Sequence, residues 1–548
     1  MARSTLRYWH TVRHLRPVQI YGRLWFRLHR PRVDTAPPPD LRPVRHYMPA
    51  LVPRQPTLIG EDVFRFLNEE HRLADMDGWD DPTIAKLWRY NLHYFDDLMA
   101  TGAEARKAWH LALLARWIEE NPMGEGTGWE PYPTSLRLVN WLRWYLAGNA
   151  LPPACVHSAA IQARWLTRRI EYHVLGNHLW ANAKALVFAG VCFEGAEAES
   201  WLRKGLGLVK RELQEQVLPD GGHFERSPMY HAIMLADILD LLALDRALPG
   251  VLPEAAVSAW RSTVPAMMGW LAALSHPDGE IALFNDAALG VAPKLADLEV
   301  GARRLDIEID SKIATPLHDL PDSGYTRMQM GPAVLIADNG PIGPDYIPGH
   351  AHADTLSFEF SLYGQRVIVD SGTSRYDTSA ERLRQRGTAA HNTVQVDGLD
   401  SSEVWGSFRV ARRARPIDRR ISCDTVGITL TCGHDGYRRL PGRPLHYRQW
   451  YLQADRLIVR DTIKGRYRQA VTRFHFHPAV DVRAESANYG RIILPEGRSI
   501  VWQVAGGWQR LTSSSYHPEF NVSLSNQCLE VTLDGSGCEV TFTWLNHG

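Results

Sequence analysis

Three short segments carry side chains whose types and spacing could do chemistry. The first is PGHAHAD, residues 348–354, with His350, His352 and Asp354 at every second position. On an extended chain alternate side chains share a face, so these three are expected to point the same way. Downstream, Asp370 ends the run VIVDSGT, and His391 lies in AAHNTV after an Arg-rich loop. Two His and one Asp on neighbouring elements are a donor set that zinc accepts. The second segment is DGGHFERSPMYH. Ser227 reads as an N-cap and Pro228 as the first helical residue, which puts Tyr230 in the first turn. There the helix dipole and a nearby Arg226 are expected to favour a tyrosinate, and such a Tyr can serve as general acid or base. The third is GNHLWANAKAL: Gly176 ends one helix, Asn177 stands where an N-cap belongs, and His178 follows. Capping alone would explain an Asn at that place.

These residues need a scaffold, and the apolar pattern describes one. From about 60 to 315 apolar positions recur three and four apart, which predicts helices at 108–119, 133–147, 159–173, 179–188, 198–217, 230–247 and 253–274. Helix after helix, with short Gly-, Pro- and Asn-containing turns, predicts an all-α domain of stacked hairpins. From about 320 the period changes to two. Leu356, Phe358, Phe360 and Leu362 alternate with Thr355, Ser357, Glu359 and Ser361, a half-buried strand. Further strands are expected at 366–370, 392–396, 425–431, 445–453, 456–462, 469–476, 499–504 and 539–544, giving an antiparallel β-sandwich. Three regions result: a basic arm and Pro-rich linker (1–59), a helical domain (60–317) and a β-sandwich (318–548). The cleft between the two large domains is the natural place for a long substrate.

Composition narrows the classes. The 548 residues carry 61 basic and 61 acidic side chains, a balance that argues against a nucleic-acid partner. No apolar run is long enough to span a membrane. The 19 Trp, 19 Tyr and 15 Phe suit a carbohydrate cleft as well as a large core. The six Cys form no CxxC pair, so a zinc knuckle is not expected, and free thiols are the default although Cys528 and Cys538 could pair after export. The first 32 residues contain eight Arg and no acid, interleaved with Trp9, Val12, Leu15, Leu24, Trp25 and Leu28. That composition fits a helix lying on an anionic membrane. It also fits an arm packed on the main domain with Arg edging the cleft, which is the expectation adopted because Pro17 interrupts a long amphipathic helix. A secretory signal is not recognisable, so a cytoplasmic location is expected.

Taken together, GNHLWANAKAL, DGGHFERSPMYH, GHAHADTLSFEF, VIVDSGT and AHNTV, in that order, resemble the heparinase II/III family of polysaccharide lyases. The resemblance runs over nearly all of residues 60–548. It implies an incomplete (α/α) toroid followed by a large antiparallel β-sandwich, with β-elimination at a uronic acid performed at the domain junction. Residue by residue, it implies Asn177 as the group that neutralises the uronate carboxylate, and Tyr230 and His350 as the catalytic Tyr and His. It gives His352, Asp370 and His391 as ligands of one structural divalent metal, zinc, with no organic cofactor. His93 and Tyr94 of YNLHYF, Arg137 of EPYPTSLRLVNW, and His178 are candidate substrate-binding residues. The residue types suit the reaction: a donor must offset the carboxylate, a base must take the C5 proton, and an acid must protonate the leaving O4. Which of Tyr230 and His350 is the base stays open. The partner implied is an anionic polysaccharide, and a homodimer is compatible. A uronate C5-epimerase on the same scaffold and a non-catalytic glycan-binding protein of an exopolysaccharide pathway are the alternatives.

Overall fold

The computed structural model describes residues 2–73, 76–311 and 313–544. The chain opens with two short helices, α1 (Ala2–Val12) and α2 (Pro17–Leu28), broken where Pro17 takes the first helical position of the second. After an extended Pro-rich segment comes a feature the apolar pattern does not predict, a small hairpin pairing Val63–Phe66 with Glu69–Arg72.

The helical domain follows as α3 (Lys86–Leu92), α4 (Lys107–Glu120), α5 (Pro131–Leu146), α6 (Pro153–Arg168), α7 (Gly176–Cys192), α8 (Gly195–Gln216), α9 (Pro228–Ala247), α10 (Glu254–Ala273) and α11 (Leu295–Arg304). Its hairpins form an incomplete (α/α) toroid around one apolar core. Helix α7 is buried along almost its whole length because α5 and α8 both lie against it. The approach of α7 to α8 depends on glycine: a Cβ on Gly190 would sit 2.5 Å from the Leu202 backbone nitrogen, and one on Gly205 2.8 Å from that of Val187.

The second domain is an antiparallel β-sandwich. An eight-stranded sheet faces a five-stranded and a four-stranded sheet. Phe358 and Phe360, Val394 and Phe474, and Trp450, Val459 and Phe542 bring the three sheets into one core. The strand expected to be half-buried, observed as Phe358–Leu362, is buried on both faces. Its polar side meets the helical domain instead of water. Glu359 pairs with His276 at 2.9 Å and accepts from the Leu283 N–H at 2.6 Å, while Ser361 bonds His276 at 2.7 Å. Alternation therefore marks the domain contact here, where buried polar groups are tolerated because they are paired. The six cysteines are free, and five of them are buried.

Candidate active site

Helix α9 begins at the domain junction, and its cap ties it there. The Ser227 hydroxyl accepts from the Tyr230 N–H at 3.3 Å and donates to the Asp286 carbonyl at 2.7 Å. Tyr230 is buried; its hydroxyl lies 3.2 Å from that of Tyr376, and its ring lies 4.1 Å from the His350 ring. The tyrosinate expected from the sequence is not what the site favours. Burial, then Tyr376 and Asp286, push the phenol well above its ordinary pKa. A helix dipole is worth about 0.3–1 kcal/mol, whereas full burial of an ionisable group costs several times more. Arg226 does not intervene either, because its guanidinium turns away to the Ser323 carbonyl at 2.7 Å.

The segment holding His350 and His352 is a loop rather than the predicted strand. Both imidazoles still converge, because both reach Asp286: His350 Nδ1 lies 2.9 Å from one carboxylate oxygen and His352 Nε2 2.8 Å from the other. Arg382, from helix α12 (Ala380–Arg386), donates to both oxygens of the same carboxylate. Burial alone would raise the pKa of Asp286, but Arg382 and the two imidazoles hold it well below the carboxylate range. Its charge fixes the His350 tautomer with the proton on Nδ1, leaving Nε2 free to act as a base. Opposite that nitrogen, at 3.8 Å, lies Glu225. This carboxylate is buried with no side-chain donor on either oxygen, and burial raises its pKa against the smaller opposing effects of His350, His178 and the Asn177 backbone N–H.

Asn177 lies inside the first turn of α7, where Leu175 and not Asn177 occupies the N-cap position. Its side chain is thus free of capping and lies near enough to the Tyr132 hydroxyl to favour its ionised form, against the larger effect of burial. The His178 ring lies tilted against that of Tyr132, 4.4 Å between centres, and His178 bonds Glu171 at 3.0 Å. Burial works against its proton, yet the Glu171 carboxylate outweighs that and the net shift of His178 is upward. An imidazole that holds its proton more readily than usual is thereby placed beside Asn177.

Two of the proposed substrate contacts belong to the core. His93 is fully buried, with Nε2 3.1 Å from the Trp79 carbonyl and Nδ1 accepting from Trp117 at 3.0 Å; burial lowers its pKa to about 3. Arg137, also fully buried, lies over the Trp117 ring and bonds Gln162 at 3.1 Å. Neither presents a side-chain atom to the surface, although Arg137 Nη2 is left without a hydrogen-bond partner. Tyr94 stands one ring behind, edge-on to Tyr132 at 6.1 Å. The residues missed by sequence reasoning are Asp286, Arg382, Tyr376, Glu225 and Tyr132. Glu225 sits inside the quoted DGGHFERSPMYH, and Asp286 is the one acid in the apolar run IALFNDAALG.

The metal set is only half assembled. Among the described residues no group of three or more His, Cys, Asp or Glu is arranged to hold an ion. Asp370 instead accepts from His391 Nδ1 at 2.7 Å, and His352 uses Nε2 on Asp286. Yet His352 Nδ1, His391 Nε2 and Asp354 Oδ2 are buried without partners, and the two rings are 5.3 Å apart. Those orphaned atoms are of the kinds a divalent ion takes, so the two imidazoles fit a metal while Asp370 would have to give up its present bond.

The heparinase II/III N-terminus matches residues 86–297, and the heparinase II/III-like C-terminal region matches residues 312–545. The chain belongs to the heparinase II/III-like family. It is similar to FtsZ-localized protein C of Caulobacter vibrioides, at 27% identity over 472 residues covering 80% of this chain and 76% of that protein. It is also 27% identical to the heparin-sulfate lyase of Bacteroides stercoris over 261 residues, 42% of this chain and 37% of the lyase. The heparin-sulfate lyase of Pedobacter heparinus is matched over 54% of this chain and 49% of its own length. Among solved structures, a crystal structure of heparinase III superimposes with a TM-score of 0.72 at 17% identity, covering 97% of this chain and 90% of that one. That likeness establishes the toroid-and-sandwich fold.

Proposed function

We propose that this chain is a polysaccharide lyase that cleaves a uronic-acid-containing glycosaminoglycan by β-elimination. The observation that carries the proposal is the Tyr230–His350 pair, ring against ring at 4.1 Å on opposite domains, with His350 oriented by Asp286. Similarity to heparin-sulfate lyases supports the substrate class.

The pair divides the labour by protonation state. His350 offers an unprotonated Nε2 and takes the C5 proton. The electron pair left on C5 forms the C4–C5 double bond as the C4–O4 bond breaks. Tyr230, kept protonated by burial, gives its proton to the departing O4. Asn177 and His178 face the uronate carboxylate, where a donor and a cation offset the charge that builds on the enolate-like intermediate. Imidazolium and tyrosinate then return to their starting states by proton exchange with solvent.

We also propose one divalent metal, zinc, held by His352, His391 and Asp370, in support of which stand the orphaned imidazole nitrogens. Bound there it would tie the His352 loop to the strand ends and supply rigidity. Metal analysis of the purified protein, and its melting before and after chelation, tests this; a metal-free protein with unchanged melting refutes it.

The activity is tested by incubating the protein with heparan, chondroitin, hyaluronan and non-sulfated uronate polymers. New ultraviolet absorbance from the conjugated C4–C5 double bond is the expected result. Isomerised uronate without that absorbance would indicate a C5-epimerase. A competing non-catalytic role draws on the match to FtsZ-localized protein C, which spans more of the chain than the lyase matches do. Absence of both products with every polymer would favour it.

A further inference from the structure

The N-terminal arm has two faces with opposite chemistry. The inner face is fastened to the body. Tyr8 meets Trp405 edge-on at 5.0 Å, and Trp405 donates to Thr11 at 3.1 Å. Arg16 lies over the Tyr346 ring and pairs with Glu215 at 2.6 Å, while Gln19 donates to the Tyr346 carbonyl at 2.9 Å. Further along α2, Gly22 abuts His173, and Phe26 stacks under the Arg169 guanidinium. The arm is therefore a fixed part of the molecule that spans both domains.

Its outer face is apolar, the reverse of an ordinary surface helix. On α2, Ile20, Leu24 and Leu28 form one row at four-residue spacing and Tyr21 and Trp25 the next, with Trp25 63% and Leu28 82% exposed. On α1, Leu6, Trp9 and Val12 form a row at three-residue spacing, with Trp9 61% exposed. Around these rows stand Arg7, Arg23, Arg27 and Arg30, all exposed, and none of them forms an ion pair among the described residues. No acid precedes Asp34. Isolated exposed apolar residues are common, but eight or more on adjoining helices, rimmed by unpaired cations, are a docking surface.

We infer that this face docks on an anionic lipid bilayer. Trp and Tyr settle at the headgroup level, aliphatic side chains enter the acyl boundary, and Arg reaches back to lipid phosphates. The side chains of both rows are open to solvent, and the unpaired positive rim complements a negative surface. No described helix is long and apolar enough to cross a membrane, so the contact is with the surface. Because the arm also grips Tyr346, four residues before His350, docking would hold the domain junction close to that surface.

Sedimentation of the full chain with vesicles tests the inference. The vesicles are phosphatidylcholine alone, or phosphatidylcholine with about one-third phosphatidylglycerol. Binding is expected to the anionic vesicles only, and to weaken in high salt as the charges are screened. Arg23→Glu/Arg27→Glu should weaken it by at least ~25-fold, at roughly fivefold per lost charge. Trp9→Ala/Trp25→Ala should weaken it on the order of tenfold or more. All four side chains are exposed, so both variants should melt like the parent, which separates lost docking from lost folding. No binding by the parent chain, equal binding to neutral vesicles, or binding that both variants leave intact would each overturn the inference.

Discussion

Asp286→Asn should uncouple the base from its support, and the structure gives the scale of the effect. The carboxylate accepts four hydrogen bonds, from His350 Nδ1, His352 Nε2 and two Arg382 nitrogens. An amide of the same shape must turn its NH2 toward one of these donors. If it faces His350, the imidazole can bond it only through an unprotonated Nδ1, which moves the proton to Nε2 and removes the base. An acid-to-amide change that fixes the wrong imidazole tautomer costs on the order of 10³–10⁴ in turnover. Arg382 meanwhile loses the charge that balances it in a fully buried position. Breaking such a pair costs about 3–5 kcal/mol. The lower figure, suited to a change that keeps a polar partner, corresponds to a melting decrease of about 6–12 °C for a domain of this size. Initial rates by double-bond absorbance and melting by circular dichroism should be read together. His350→Ala serves as the control, since it removes the base and leaves the Asp286–Arg382 pair intact, so it should lose turnover with a smaller drop in melting. An Asp286→Asn variant that melts early but turns over like the parent would refute the positioning role and leave Asp286 a tie between domains.

Tyr230→Phe keeps the ring against His350 and deletes the acid, so turnover should fall ~10²–10⁴ with near-parental melting; unchanged turnover on the true substrate would remove Tyr230 from the mechanism. Asn177→Asp sets a negative charge against the substrate carboxylate and should abolish turnover. Neither Asp nor Ala there should shift melting by more than about 1 kcal/mol, because Leu175 holds the cap position; a fully active Asp variant would transfer the role to His178. For His178 the folded pKa is raised above 6.5. Its charge, and the stability from the Glu171 pair, are therefore fully present below about pH 6.5 and lost as pH rises through the folded value. KM should climb over that same interval and become flat with pH in His178→Gln; a parental pH dependence in that variant would show that His178 does not meet the carboxylate.

The helical boundaries illustrate what local sequence can carry. The predicted 230–247 and 253–274 are observed as Pro228–Ala247 and Glu254–Ala273, because caps and the 3.6 period are local properties. The strand at Leu445–Gln453 is placed as predicted, with strict burial alternation. The strands at Tyr325–Met330, Ala333–Asp338 and Gly507–Tyr516 were missed. In Ala333–Asp338 every residue is buried, which leaves no alternation to read. His93 and Arg137 failed for a related reason. A helical period shows which residues face inward, but it does not tell a cleft from a core, and both face the core.

The sequence by itself determined the order of the two domains, the family, and the positions of Asn177, Tyr230 and His350, since each lies in a short motif with its own local logic. Only the tertiary structure decided what surrounds them. Asp286 is 64 residues from His350 and 96 from Arg382, and nothing in its own neighbourhood marks it as the clamp on both. The protonated state of Tyr230 came from burial between the domains, a many-body property that overrode the local helix dipole. Charge state and tautomer depend on what the folded chain brings within a few ångströms, and that proximity is set by packing across the junction.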